Sequence, residues 1–349
     1  MDLKNKRVLI TGANGFIGGR LAERLAQDEG AFVRGLVRNT KIAKGRENRE
    51  TEHASCNTHR VFEPVMADVT DANTVSHAVA DCDIVIHCAA MQSGRAKIDE
   101  YRRVNVGGAL NLLRAAKNAN VQRFVHISTI NVHGFPPPHD ANADSPLDFS
   151  DGFYSVTKAE GERAAWQFAR ENNFPLVVVR PACTYGPRSM AWTVTPLKRV
   201  QRGRPVLIGD GNGICNAVYI DNLVDLILLT LKNDAAIGQS FIGAEGRGVT
   251  WREFYGAYAR MASIAKINFM PRWLAMLAAT GFGVLARLDK YPPRIDRASV
   301  EFYSHRVVFN IEKSKRLLGY EPKISFEQGM ALTRQWLVDS GQLSDKDNH

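Results

Sequence analysis

Short apolar runs alternate with stretches of helical periodicity through the first half of the chain, as in a parallel sheet covered by helices on both faces. The runs RVLIT (7–11), FVRGLVR (32–38), RVFEPVMAD (60–68), DIVIHCA (83–89), RFVHIST (123–129) and PLVVVRP (175–181) predict strands. Between most of them lie helix-like stretches such as FIGGRLAERLAQDE and VNVGGALNLLRAAKNAN. The implied fold class is α/β, a doubly wound parallel sheet. Asn39 to His59 is polar and charged with no apolar period, which predicts a mobile loop beside the second strand. Past Pro181 the alternation weakens, and a smaller, partly helical lobe is expected. The segment AVYIDNLVDLILLTLKN (217–233) predicts a strand running into a helix that returns to the main domain. The expected division is a main domain over 1–181, with 206–243 packing back on it, and a second lobe from 182–205 and 244–349.

Composition narrows the classes. A chain of 349 residues, 45% apolar, can bury one large core or a core plus a smaller lobe. The formal charge is +9, but Lys and Arg are dispersed rather than gathered in one arm, which argues against nucleic acid. The same charge suits a polyanionic small molecule or an acidic membrane surface. The opening MDLKNKRVLITGANG has no apolar core of a signal peptide, and the five cysteines are odd in number with no metal-like spacing. A reduced, cytoplasmic protein is expected. His87, His126 and His133 fall at strand ends without ligand spacing, so no metal is expected.

The stretch LITGANGFIG places Gly12, Gly15 and Gly18 directly after a strand and at the opening of a helix, with Asn14, Phe16 and Ile17 completing the turn. Glycines let backbone approach a pyrophosphate, whose charge the N–H groups and positive end of the helix offset. A plain tight turn is the bland alternative; the position after the first strand favours a dinucleotide. NAD-binding chains offer a carboxylate at the end of the second strand, whereas here Val37 and Arg38 stand there. An arginine favours a 2′-phosphate, so NADP(H) is the expected cofactor and NAD(H) the second choice. Asp68 and Val69 close the third strand and would flank the adenine. Ala89 and Ala90 close the fourth, where small residues leave room for the cofactor.

Tyr154 and Lys158, in FYSVTKAE, are four residues apart and share one face of a helix. A phenol titrates near about 10, and an adjacent ammonium favours its anion, making the pair a usable proton donor and acceptor. Ser128 and Thr129, in ISTINVHG, end the fifth strand at the carboxyl edge of the sheet, where ligands bind in such folds.

Together with RPACTYGP (180–187), VYIDNLVD and SKRLLGYEP (314–322), these motifs resemble the extended short-chain dehydrogenase/reductase family over most of the chain. The resemblance implies Thr129 as the catalytic hydroxyl, three residues before the VHG triplet at Val132. It implies Ser128 and Pro181 as cofactor neighbours, Tyr154 as acid/base, Lys158 also on the nicotinamide ribose, and a homodimer. Departures from the family pattern separate its branches. Sugar-nucleotide enzymes carry Asn where this chain has Cys183, and an arginine for the substrate diphosphate near Cys215 and Asn216. The dehydratases add Asp and Glu where Ile130 and Asn131 stand. The pattern is closer to the 3β-hydroxysteroid dehydrogenase and dihydroflavonol reductase branches. The expected function is hydride transfer between a ketone and a secondary alcohol on an apolar or aromatic small molecule. A nucleotide-sugar 4-epimerase is the alternative, and a non-catalytic NADP-sensing protein the second.

One apolar stretch stands outside this scheme. PRWLAMLAATGFGVLARLDKYPPR (271–294) holds fourteen uncharged residues from Trp273 to Ala286, too few to span a bilayer, edged by Arg272, Arg287, Lys290 and Arg294. A helix packed on the core is the plain expectation. Peripheral contact with a membrane surface is the sharper one.

Overall fold

The computed structural model describes residues 1–38, 62–92, 96–204, 207–289 and 296–344, without the side chains of 283–289. The loop expected over 39–59, with Lys41 and Lys44, lies outside the described residues.

In chain order the strands are β1 (Arg7–Thr11), β2 (Phe32–Val37), β3 (Phe62–Met66), β4 (Ile84–His87), β5 (Arg123–Ile127), β6 (Leu176–Pro181), β7 (Cys183–Tyr185), β8 (Leu207–Ile208), β9 (Ala217–Tyr219), β10 (Ser240–Gly243) and β11 (Phe269–Met270). The helices are α1 (Phe16–Gln27), α2 (Ala72–Val79), α3 (Ile98–Arg102), α4 (Gly108–Asn118), α5 (Phe153–Asn172), α6 (Thr195–Gln201), α7 (Ile220–Lys232), α8 (Trp251–Met261), α9 (Arg272–Asp289), α10 (Arg297–Ser304), α11 (Glu312–Leu318) and α12 (Phe326–Asp339). A π turn, Arg103–Gly107, joins α3 to α4. All six apolar runs form strands, and 217–233 forms β9 and α7.

A seven-stranded parallel sheet has the order β10-β6-β5-β4-β1-β2-β3. The order reverses between β1 and β4, which pair in parallel from Val8 opposite Ile84 to Thr11 opposite His87. In a doubly wound sheet this reversal opens the crevice where a ligand sits, beyond the carboxyl ends of the strands.

The chain divides into two compact units: residues 1–129, 156–180 and 224–240, and residues 130–155, 181–223 and 241–349. Relative to the division expected from sequence, the first unit lacks 130–155 and takes back only 224–240. After Thr129 the chain leaves the sheet through a 3₁₀ turn, Ile130–His133, instead of starting the next helix at once. The core of the first unit packs Leu9, Val85, Leu112, Phe124 and Val178 against one another, all wholly buried. The second unit has an aromatic core: Trp251, Phe254, Tyr255 and Tyr258 of α8 are all buried. Within it, Asn222 donates to Glu245 Oε1 and the Ile324 carbonyl, both at 2.8 Å, and accepts the N–H groups of Lys323 and Ile324 at 3.0 Å. That latch is why VYIDN and GYEPK occur in one chain: the first supplies the amide that orders the second.

Candidate active site

The glycine turn sits at the sheet's reversal. Gly12 has φ +68, and a Cβ there would stand 3.1 Å from the Ala89 nitrogen, so an L side chain would be both strained and crowded. A Cβ on Gly18 would collide with the Gly12 carbonyl oxygen. α1 therefore starts hard against the turn, with Gly15 as N-cap and no side chain capping its amides. Asn14 Oδ1 is buried with no hydrogen-bond partner nearby. Helix amides without a side-chain cap and a space that only glycine leaves open fit a dinucleotide pyrophosphate, while the unpaired Asn14 oxygen, an acceptor, fits a hydroxyl or N–H donor of the nucleotide. Phe16 and Ile17 begin α1.

The strand ends surround this turn. Thr11 Oγ1 accepts the Ala89 N–H at 3.1 Å and lies 2.8 Å from His87 Nδ1. Burial, and then the Lys158 cation, push His87 down to about 3, so its ring is neutral. Ala89 and Ala90 follow β4, both half-buried. Asp68 lies two residues past β3, and its carboxyl is held below the usual carboxylate range, first by the Thr70 N–H at 2.8 Å. Arg38 stands exposed just past β2, close enough to Asp68 to contribute to that lowering. Arg38, expected at a 2′-phosphate, and Asp68, expected beside the adenine, are thus electrostatic neighbours. Val69 follows, its carbonyl accepting from Asn111 Nδ2 at 3.0 Å.

Past β5, Ser128 and Thr129 are both buried, and Ser128 Oγ has no hydrogen-bond partner. Lys158 joins them from α5: its Nζ donates to the Ile127 carbonyl at 2.7 Å, and the residue is 2% exposed. Burial lowers its pKa to about 8, against which Glu162 and Cys88 act. Tyr154 begins the same helix one turn earlier, where the chain passes from the second unit to the first. Pro181 ends β6 and opens the next segment of the second unit.

Sequence reasoning passed over Asn105. Buried in the π turn, its amide donates to the Met91 carbonyl and to Thr157 Oγ1 at 3.1 and 3.0 Å, and its oxygen accepts the Met91 N–H at 2.8 Å. It ties the segment after β4 to the residue preceding Lys158. The only sequence signal was a polar side chain inside the apolar spacing of VNVGGALNLL.

The profile of the NAD dependent epimerase/dehydratase family matches residues 8–242. The chain belongs to this family. Among its relatives is the 4-hydroxy-2-methyl-3-oxo-4-farnesyl-3,4-dihydroquinoline-1-oxide ketoreductase of Stigmatella aurantiaca, 27% identical over 94% of this chain and 96% of that protein. The 3 beta-hydroxysteroid dehydrogenase/Delta 5→4-isomerase of Mycobacterium tuberculosis is 28% identical over 93% of this chain and 88% of its own. UDP-glucose 4-epimerases occur at comparable identity, so likeness alone does not choose between the branches. The crystal structure of the Thermotoga maritima UDP-glucose 4-epimerase with UDP-glucose matches 96% of this chain and 99% of its own at 22% identity, TM-score 0.73, which shows the shared fold.

Two positions expected from the sequence to distinguish reductases from sugar-nucleotide enzymes lie in the second unit. Cys183 is 2% exposed on β7, its backbone N–H donating to the Asn216 carbonyl at 3.3 Å. Asn216 is 1% exposed, and both ends of its amide are engaged: Nδ2 donates to the Val307 carbonyl and Oδ1 accepts the Phe309 N–H, both at 3.0 Å. Aromatic rings gather in the same unit, with Phe302 4.8 Å from Phe135 and 6.0 Å from Trp192 between ring centroids. These three rings are only half-buried. Among the described residues no group of His, Cys, Asp or Glu could hold a metal ion.

Proposed function

We propose that the protein is an NADP(H)-dependent oxidoreductase that interconverts a ketone and a secondary alcohol on an apolar or aromatic small molecule. The observation that carries this reading is the burial of Cys215, 1% exposed, with the engaged Asn216 beside it. Where sugar-nucleotide enzymes are expected to offer an arginine to a diphosphate, this chain has the buried thiol of Cys215, followed by an Asn216 amide that bonds the backbone of Val307 and Phe309. A diphosphate without a matching cation forfeits its charge-assisted hydrogen bonds. The half-buried rings of Phe135, Trp192 and Phe302 offer apolar contact instead.

The roles follow from the residues. Tyr154 exchanges a proton with the substrate oxygen, and the Lys158 cation beside β5 favours the phenolate form of that tyrosine. Thr129 steadies the same oxygen, and the unpaired Ser128 hydroxyl serves the cofactor. When bound, the nicotinamide supplies or accepts the hydride. Arg38 reads the 2′-phosphate, which supports NADP(H) over NAD(H). A cytoplasmic setting accords with Cys82, Cys88, Cys183 and Cys215 all being free thiols.

The test is oxidation of NADPH with a panel of apolar ketones, flavanonols and UDP-hexoses. Turnover of the first two groups with Tyr154→Phe inactive yet still binding NADPH is expected; epimerisation of a UDP-hexose without net oxidation would overturn the proposal. Arg38→Asp should weaken NADPH binding by about tenfold or more, with NADH binding spared. An unchanged NADPH to NADH ratio would refute the cofactor assignment alone.

A further inference from the structure

α9 is built inside out. Most surface helices turn a bulky apolar stripe inward and a polar face to water. Here the fully buried positions are alanines: Ala275 and Ala279 pack against Val300 of α10, with Ile208, Met270 and the half-buried Met276 alongside. The bulk faces the other way. Trp273 is 69% exposed and Leu277, one turn on, 64%; Leu274 lies beside them, and Phe269, just before the helix, is 61% exposed. Large apolar side chains gathered so openly mark an interaction surface rather than ordinary scatter.

The charge around this surface indicates what covers it. No charged residue occurs from Trp273 to Ala286. Around that run, residues 266–297 carry Lys266, Arg272, Arg287, Lys290, Arg294 and Arg297 against only Asp289 and Asp296. Lys266 is exposed, and so is Arg272, which pairs with Glu301 at 2.7 Å. Uncharged bulk with a tryptophan, bordered by cations, is the composition of a helix lying at an anionic lipid surface. Its length agrees: fourteen uncharged residues reach about 21 Å along a helix, short of the roughly 30 Å hydrocarbon core, and among the described residues no helix is long and apolar enough to cross a membrane.

We infer that α9 docks the protein on an anionic membrane surface, its Trp273 and Leu277 face entering the interface while the exposed Lys266, Arg272 and Arg297 meet lipid headgroups. The inference rests on α9 and its surroundings, not on the proposed reaction. A protein so placed would meet lipophilic substrates where they partition.

Flotation of the full-length protein with phosphatidylcholine vesicles, with and without phosphatidylglycerol, tests it. Wild type should float with the anionic vesicles at low salt and weakly or not at all with the neutral ones. Trp273→Ser/Leu277→Ser should lower the partition coefficient about tenfold or more, with an unchanged unfolding midpoint and NADPH affinity. Lys266→Glu, which leaves the apolar face intact, should weaken binding to the anionic vesicles only. No flotation of wild type, or equal flotation of the double variant, would overturn the inference. So would a double variant that changes only the oligomeric state, since that assigns the face to a second copy of the chain.

Discussion

Lys158 pays a cost in stability for a place beside β5. Burial lowers its pKa from 10.5 to about 8, a cost that the nearby Glu162 offsets only in part. Below pH 8 the folded and unfolded chains both hold this proton, and the whole expense of burying the cation is carried. Between about 8 and 10.5 the unfolded chain binds the extra proton, so stability from this group rises with pH across that window. Lys158→Met should therefore be more stable than wild type at pH 7, by on the order of 2–3 kcal/mol, and should lack this rise in stability. It should also lose turnover. Chemical denaturation at pH 7, 9 and 10.5 checks the sign; a variant less stable than wild type at pH 7 would show that the hydrogen bond to Ile127 outweighs desolvation. That Tyr154 and Lys158 share one helix was legible from spacing alone. The burial that tunes the lysine was not, because it arises from β5 and α5 packing together.

At the level of elements, α5 is also tied to β6, the strand beside β5, by an ion pair. Glu162 is wholly buried on α5, and Arg180, on β6, donates to it from Nε at 3.2 and 3.1 Å and from Nη2 at 2.5 Å. Glu162 lies one turn after Lys158, so the bond sets the rotation of the helix that presents it. Glu162→Gln leaves the guanidinium buried without its counter-charge and should cost about 3–5 kcal/mol. Urea denaturation measures it, and a loss below about 1 kcal/mol would mean that α5 is held by other contacts. Restoring neutrality with Glu162→Gln/Arg180→Leu should recover part of the loss. The strands themselves were well marked, yet β4 and β5 stop about two residues short of their apolar runs. Cys88 and Ser128 each keep one last backbone bond, to the carbonyls of Thr11 and Val179, after which Ala89 closes over Gly12 and Thr129 stands at the site edge. Periodicity records burial, and these residues stay buried or half-buried after pairing ends. Asn105 escaped notice for the opposite reason: its value lies in partners remote in sequence.

For the whole molecule, chain connectivity hides the units from any reading of contiguous segments. The backbone passes between them five times, and the first unit depends on 224–240 for groups that its earlier segments cannot supply. Arg123 at the start of β5 is 1% exposed, and its guanidinium donates to the carbonyls of Thr230 and Asn233 at 2.5 and 2.9 Å and to Asp234 at 2.6 Å. All three partners lie in that late return. A fragment of residues 1–181 contains the glycine turn, Lys158 and every strand end around them, yet it strands this cation. Uncovering it to water breaks the packing of β5, and keeping it buried without partners costs about 3–5 kcal/mol, comparable to the stability of a typical domain. The fragment should show no cooperative unfolding transition and no NADPH fluorescence enhancement. Arg123→Met should partly relieve the fragment while weakening the full-length chain, because only the latter has partners to lose. If the fragment bound NADPH and unfolded cooperatively, 224–240 would be an accessory to the first unit rather than part of its core.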